Sequence, residues 1–367
     1  MRDFGDCKRI VIKIGTTTLS RGDEVDTSYF EKIALQVKSL IDKGKQVIIV
    51  TSGSIGMGAG QLRLKTRVIN IHMRQACAAI GQPLLMNEYR KAFLAQNLLA
   101  AQVLLTADVL SQRKTYVNLR NAIESLLKLG VIPVINENDC VSTAEIDNTF
   151  GDNDKLSALV SSKVDADLLI MLTDIDALYD KDPRIFPEAR PIPMVRTITD
   201  EIMKNAGGSG STHSVGGMKT KIVAARILHN TGCRLVLADG KTADVITRIL
   251  AGEELGTLFI PRQKVSNRVR WILNSKTAGR IVVDEGALQA IRSRKSLLPS
   301  GITAVEGIFN AGCVVSINNQ AKALVNFSSE ELKMLIGRHT SEIRKILGEN
   351  KRDVVAIPED IVFLEHQ

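Results

Sequence analysis

The chain has 367 residues, 44% of them apolar and 24% charged, a soluble globular profile too long for one ordinary core, so two domains are expected. No apolar run approaches the roughly 18 residues of a membrane span, and the opening residues lack a signal-peptide core, so a cytoplasmic protein with no membrane role is expected. Five dispersed cysteines and five dispersed histidines argue against a disulfide framework or a metal-ligating set, and the +8 formal charge suits anionic ligands without choosing between phosphates and nucleic acid.

The first predicted strand is 10–14, a short apolar run broken by Lys13 and followed by Gly15-Thr16-Thr17-Thr18. A helix with Phe30, Ile33, Ala34, Val37, Leu40 and Ile41 on one face comes next, read as starting in a Ser28-x-x-Glu31 capping box and ending at a left-handed Gly44. Strand 47–50 runs into the glycine-dense segment 51–60. Helical periodicity then resumes over about 72–99 and again over 115–129, where Gly130 stops it before strand 131–135. The stretch 136–158 is the most unusual in the chain. It packs Asn136, Glu137, Asn138, Asp139, Asp147, Asn148, Asp152 and Asn153 into one connection at the end of a strand, where ligands bind in α/β sheets. A short helix restarting at Lys155, strand 167–172, a glycine-rich loop 207–210, Gly216-Gly217 before a helix, and strand 235–238 complete the series. Strands alternating with helices predict an α/β fold: a mainly parallel central sheet covered on both faces, a three-layer αβα sandwich.

The pattern changes near Pro261. From Arg262 to Lys295 nine Lys/Arg face only Asp284 and Glu285, and beyond Gly279 short β-leaning runs alternate with turn residues, with one amphipathic helix around 329–336. The expected division is a catalytic-looking domain over 1–260, a basic linker over 261–275 and a small β-rich barrel over 276–367.

No Walker A loop and no GxGxxG fingerprint is present, yet glycine-dense turns after strands offer backbone N–H groups to anions. Lys13 is the sharper signal, because a lysine inside an apolar strand needs a counter-charge. Lys13 and Lys221 could bracket a transferring phosphoryl group, with Asp154 or Asp152 between them.

In their order and spacing, Val11-Ile12-Lys13-Ile14-Gly15-Thr16, Val50-Thr51-Ser52-Gly53-Ser54-Ile55, Ile135-Asn136-Glu137-Asn138-Asp139, Phe150-Gly151-Asp152-Asn153-Asp154-Lys155, Leu172-Thr173-Asp174 and Gly216-Gly217-Met218-Lys219-Thr220-Lys221 resemble the amino acid kinase family. Thr-Ser-Gly is shared by several kinases of that superfamily, whereas Asn-Glu-Asn-Asp followed by Gly-Asp-Asn-Asp is much more specific, and the combination resembles members that act on free glutamate. The tail, with Leu297-Leu298-Pro299-Ser300-Gly301-Ile302, is similar to a PUA domain. The resemblance implies ATP-dependent phosphorylation of the L-glutamate side-chain carboxylate to L-glutamyl 5-phosphate, the first step of proline synthesis. It implies ATP contacts at Lys13, Thr173, Asp174, Val215, Gly216, Gly217, Met218, Lys219, Thr220 and Lys221, and glutamate contacts at Ser52, Asp139 and Asn153. Catalysis falls to Lys13, Lys221 and Asp154. Mg²⁺ carried with ATP, feedback inhibition by proline and a homo-oligomer, dimer or tetramer, are implied too. The sequence departs from the family pattern at Val215, Lys219 and Ala177, and in a longer 145–151 segment expected to act as a flap. Other carboxylate kinases, acting on N-acetylglutamate or aspartate, are the alternative within the class. An RNA-associated role through the PUA-like tail is the alternative outside it, disfavoured because only Trp271 and Phe309 are aromatic between Arg262 and Val325.

Overall fold

Short runs of β-branched and aliphatic residues recur through the first 260 positions, and the central ones form strands buried on both faces. The computed structural model describes residues 2–21, 24–64, 66, 68–106, 109, 113–141, 153–205, 217–262, 266–348 and 353–364. Two units emerge, Met1–Lys264 and Val265–Gln367.

In the first unit eight strands form one sheet: β1 (Arg9–Ile14), β2 (Gln46–Val50), β3 (Leu99–Leu105), β4 (Val131–Glu137), β5 (Leu168–Thr173), β6 (Met194–Val195), β7 (Arg234–Asp239) and β8 (Thr257–Phe259), in the order β6-β8-β7-β5-β1-β2-β4-β3. Every pairing is parallel except β7 with β8. Helices α1 (Thr27–Asp42), α2 (Ser54–Gln61), α3 (Ile71–Leu94), α4 (Arg113–Lys128), α5 (Asn153–Lys163) and α6 (Met218–Leu228) cover it.

Because side chains alternate along a strand, each strand feeds two cores. Ile10, Ile12, Ile14, Val47, Ile49, Ile132 and Val134 pack with α1 and α3. Val11, Ile48, Val50, Ile135, Leu169 and Met171 pack with α4, α5 and α6. This parity assigns Lys13 to the α5–α6 face and Asn136 to the α3 face, and so decides which helices can reach each of them. The register then lines up the strand ends: Lys13 lies opposite Val50 and Met171, Val50 opposite Ile135, and Asp239 opposite Thr173.

Three local expectations are corrected. The helix anticipated over 72–99 ends at Leu94, a turn with Asn97 at φ 56° follows, and β3 begins at Leu99 on the sheet edge. Its half-exposed pattern carries little of the continuous burial that marks a central strand. The capping box at Ser28 does not form; the N-cap of α1 is Asp26, two residues earlier, and Ser28 Oγ donates to Asp26 Oδ1 at 2.6 Å. Gly58, in the segment read as an anion-binding loop, is instead a packing residue of α2, as shown below. Gly44 adopts the left-handed cap expected of it, at φ 72°, and Gly130, expected to stop its helix, does so at φ 70°.

The second unit has a five-stranded sheet of β9 (Arg280–Val283), β10 (Ile302–Glu306), β11 (Val314–Ile317), β12 (Ala321–Leu324) and β13 (Ile361–Phe363), ordered β10-β9-β11-β12-β13. Its core draws on Ile281, Val283, Leu288, Ile317, Ala323, Phe327 and Leu332. Helices α7 (Asn267–Asn274), α8 (Glu285–Arg292), α9 (Ser329–Leu335) and α10 (Thr340–Leu347) accompany the strands. The stretch 261–275, expected as a linker, therefore contains α7, with Trp271 and Ile272 buried.

Candidate active site

The C-terminal ends of β1, β2, β4, β5 and β7 meet at one edge of the sheet, and the polar residues of the site cluster there. On the α5–α6 face, Lys13 sits one residue before the end of β1 and is 6% exposed. Asp154, in the first turn of α5, is 1% exposed, and Lys221, in the first turn of α6, is 4% exposed. Lys13 Nζ lies 2.5 Å from Asp154 Oδ1 and Lys221 Nζ lies 3.1 Å from Asp154 Oδ2, so one carboxylate bridges both ammonium groups. The Thr220 hydroxyl is 2.9 Å from Asp154 Oδ2 and 2.7 Å from the Gly217 carbonyl oxygen, tying the start of α6 to the same carboxylate.

Burial by itself would push the Asp154 carboxyl up. The Lys13 and Lys221 ammonium groups, with their hydrogen bonds, outweigh it and hold the group below the usual carboxylate range. Among the described residues of this cluster, two lysine ammonium groups share one buried carboxylate, an arrangement whose chemistry suits an anion.

On the α3 face a carboxamide network begins at Asn136. Its Nδ2 donates to Gln82 Oε1 at 2.8 Å and lies 3.5 Å from Ser54 Oγ. Its Oδ1 accepts from the Glu137 backbone N–H at 2.9 Å and from Asn153 Nδ2 at 3.2 Å. Asn153 Nδ2 also reaches the Thr51 carbonyl oxygen at 2.9 Å and Ser52 Oγ at 2.8 Å, while its Oδ1 has no hydrogen-bond partner among the described residues. Ser54 Oγ donates to Asp139 Oδ2 at 3.2 Å. The Thr51 hydroxyl shares a 2.8 Å hydrogen bond with the buried Tyr89 hydroxyl, which pins the β2 loop to α3. Asn153 and Asp154 are sequence neighbours, so the start of α5 joins the amide network to the lysine cluster.

The remaining candidates fall at the same edge. Thr173 is buried at the end of β5 and donates to Asp174 Oδ1 at 3.0 Å, with Asp174 exposed. Gly217 is the N-cap of α6, Met218 is half-buried and Lys219 is exposed. Val215, Gly216, Asp152 and the 145–151 segment lie outside the described residues. The structure thus brings together Lys13, Asp154 and Lys221, and separately Ser52, Asn153 and Asp139 through Asn136 and Ser54. Sequence reasoning assigned no role to Gln82, Ser54 or Asn136. Asn136 stood in the quoted polar stretch and Ser54 in the Thr-Ser-Gly-Ser motif, whereas Gln82, one glutamine in a helical pattern, carried no signal.

The amino acid kinase family model matches residues 8–239, and the PUA domain model matches residues 279–347. The chain is similar to the glutamate 5-kinase of Methanococcoides burtonii, at 48% identity over 98% of this chain and 97% of that one. It is also similar to the glutamate 5-kinase of Caldanaerobacter subterraneus subsp. tengcongensis, at 47% identity over 97% and 98%. Among solved structures it is similar to an isopentenyl phosphate kinase, at 21% identity and a TM-score of 0.47 over 68% of this chain and 99% of that one.

Proposed function

We infer the reaction and its geometry from one premise: the chain belongs to the amino acid kinase family and, within it, to the glutamate 5-kinases. It transfers the γ-phosphoryl group of ATP to the side-chain carboxylate of L-glutamate, giving L-glutamyl 5-phosphate, the entry to proline synthesis.

The nucleophile is a carboxylate with a pKa of about 4.3, already ionised at neutral pH, so no general base is required. The barrier comes from bringing that anion against the γ-phosphate. The buried Lys13–Asp154–Lys221 cluster is the observation that carries our assignment of catalysis. Asp154 holds the two ammonium groups so that their remaining N–H donors face the equatorial oxygens as charge spreads onto them. The backbone amides of the β1 loop and of the start of α6, from Gly217 through Met218, Lys219 and Thr220, cradle phosphate oxygens, and the proposed nucleotide contacts extend in sequence to Val215 and Gly216. Thr173 and Asp174 sit beside the nucleotide. Asp154 is already committed to two lysines, and no group of three or more His, Cys, Asp or Glu that could hold a metal occurs among the described residues. Mg²⁺ would accordingly be held by the ATP phosphates, where it neutralises charge.

At the glutamate end, Asp139 pairs with the α-ammonium. Ser52 Oγ accepts from Asn153 Nδ2, which leaves its hydroxyl proton free to turn toward a substrate carboxylate. Proline inhibition, a homo-oligomer and a cytoplasmic location belong to the same reading, and no helix among the described residues is long and apolar enough to cross a membrane.

The test is hydroxamate formation from ATP with glutamate, N-acetylglutamate or aspartate as acceptor. Glutamate should be strongly preferred, since an acetylated amine has no charge to offer Asp139; preference for either competitor would end the assignment. With glutamate, Lys221→Ala should cut turnover by about 10² or more. Near-normal turnover would remove the lysine cluster from catalysis. Activity that stays flat against millimolar proline would remove the inhibition.

A further inference from the structure

Gln82 owes its position to two glycines. Helices α2 and α3 meet backbone to backbone: a Cβ on Gly58 would fall 1.9 Å from the Cys77 carbonyl oxygen, and one on Gly81 would fall 1.8 Å from the Ser54 carbonyl oxygen. This approach sets α3 over the end of β4, and Gln82, the residue after Gly81, is 7% exposed there. Its Oε1 accepts from Asn136 Nδ2 at 2.8 Å, and its own Nε2 has no hydrogen-bond partner among the described residues. Leaving a buried amide donor idle costs free energy. An apolar side chain of the same length would remove that idle donor but deprive Asn136 Nδ2 of its 2.8 Å acceptor, so the use of this glutamine lies in what its Oε1 holds.

The chain of hydrogen bonds shows what that is. An amide side chain can face either way, and only its neighbours decide which end is oxygen. The Glu137 backbone N–H can only donate, so it fixes which end of Asn136 is Oδ1; the Asn136 Nδ2 left facing α3 turns Gln82 Oε1 toward it, and that 2.8 Å hydrogen bond holds the Asn136 amide in place. Asn136 Oδ1 and the Thr51 carbonyl oxygen, both acceptors, then hold Asn153 with its Nδ2 turned inward. Asn153 is therefore left with a buried acceptor, Oδ1, that has no partner among the described residues, and an acceptor recognises a donor. Building on the glutamate kinase reading, we propose that Gln82 is a positioning residue that acts through Asn136 on Asn153, so that Asn153 Oδ1 receives the substrate α-ammonium together with Asp139. Without Gln82 the Asn136 Nδ2 keeps only the 3.5 Å contact to Ser54, and the amide is free to swing toward other acceptors.

The readout is amine recognition, compared between glutamate and glutarate, the same dicarboxylate without the amine. A site whose buried polar groups are built around an N–H strongly rejects the analogue that lacks it. Wild-type enzyme should favour glutamate in kcat/KM. In Gln82→Met the ratio of the two kcat/KM values should fall by about tenfold or more, mainly through the KM for glutamate, with the KM for ATP within about twofold of wild type. In an Asn153→Ala background, Gln82→Met should change the ratio no further, because the effect passes through Asn153. An unchanged ratio in Gln82→Met, equal losses for both acceptors and ATP, or full additivity with Asn153→Ala would each overturn the proposal. If Gln82→Met gives no folded protein, Gln82→Glu poses the same question. It retains an acceptor for Asn136 and should keep the ratio within about twofold of wild type, and a tenfold loss there would be equally fatal. Wild-type enzyme that does not distinguish glutamate from glutarate would instead overturn the substrate reading on which the proposal rests.

Discussion

A lysine in a buried parallel strand must find a counter-charge, and Lys13 finds it in a carboxylate that Lys221 also uses. The arrangement is asymmetric, since either lysine can be lost with the other still paired, whereas loss of Asp154 removes the carboxylate that both buried cations share. Removing one partner of a buried pair costs about 3–5 kcal/mol. Asp154→Asn should therefore destabilise the fold by at least that order at neutral pH and also abolish turnover. The sign of the pH dependence follows from the depressed carboxyl. Its contribution is complete above the unfolded aspartate value of about 3.9 and is lost as pH falls through the lower folded value. Urea denaturation should then show a gap between wild type and Asp154→Asn that is wide at pH 7 and narrows below about pH 4; a gap independent of pH would mean that the lysines are not held by charge. Much of this cluster was legible beforehand, because Lys13 breaks an apolar run and so demands an explanation. The residues alone left Asp154 or Asp152 as its partner and the resemblance pointed to Asp154; Asp152 lies outside the described residues, and the pairing seen is with Asp154. That depends on the pitch of α5 and on the alternation of β1, which together turn Asp154 toward the face where Lys13 emerges. Gln82 was invisible for the opposite reason: in a helical pattern a lone glutamine reads as solvated, and its burial depends on how close α3 comes to α2.

Glycine has two different uses within α2. Gly58 faces Cys77 and, with Gly81 of α3, permits the close approach of the two backbones, while a Cβ on Gly60 would meet nothing within 4 Å. Alanine should thus have opposite effects at neighbouring sites. Gly60→Ala should stabilise by up to about 1 kcal/mol, since alanine is the better helix former. Gly81→Ala has to push the Ser54 carbonyl aside, and overpacking of this kind costs about 1–3 kcal/mol or more. It should also raise the KM for glutamate, because Ser54 and Gln82 shift with their backbones. Thermal melts beside KM measurements on both variants check this. A Gly81→Ala enzyme as stable as wild type would show that the α2–α3 approach is not rigid. The same packing explains which elements could be read from sequence. Central strands such as β1, β2, β4 and β5 are continuous apolar runs and announce themselves. The edge strand β3 follows α3 after a turn of only a few residues and buries little, so its apolar residues merge with the helical pattern before it. Helices α8 and α10 lie in a region whose turn residues and short apolar runs read as β structure throughout.

Each of the two units carries its own core, and the chain's sole tryptophan, Trp271, lies in the C-terminal one, 5% exposed on α7. Its fluorescence therefore reports on the unit that carries no part of the proposed active site. Helix α7 is anchored by Arg268, whose guanidinium grips the Asp360 carboxylate with both Nε and Nη2, the latter at 2.6 Å. Asp360 is 1% exposed, while the Arg268 side chain is 42% exposed. The cost of breaking this pair is set by that difference. In Asp360→Ala the guanidinium left behind can turn to water, so the loss should be about 2–3 kcal/mol, under the roughly 3–5 kcal/mol of a pair buried at both ends. In Arg268→Ala the carboxylate left behind has no such escape, and that variant should be the less stable of the two. Tryptophan fluorescence during urea unfolding measures both midpoints. If Asp360→Ala proves as damaging as Arg268→Ala, or neither moves the transition, the pair contributes little and α7 is held by its other contacts, the buried Trp271 and Ile272 and the Lys322 Nζ hydrogen bond to the Leu273 carbonyl oxygen at 2.7 Å. The expected order, wild type above Asp360→Ala above Arg268→Ala, follows from burial: a stranded charge costs most where water cannot reach it.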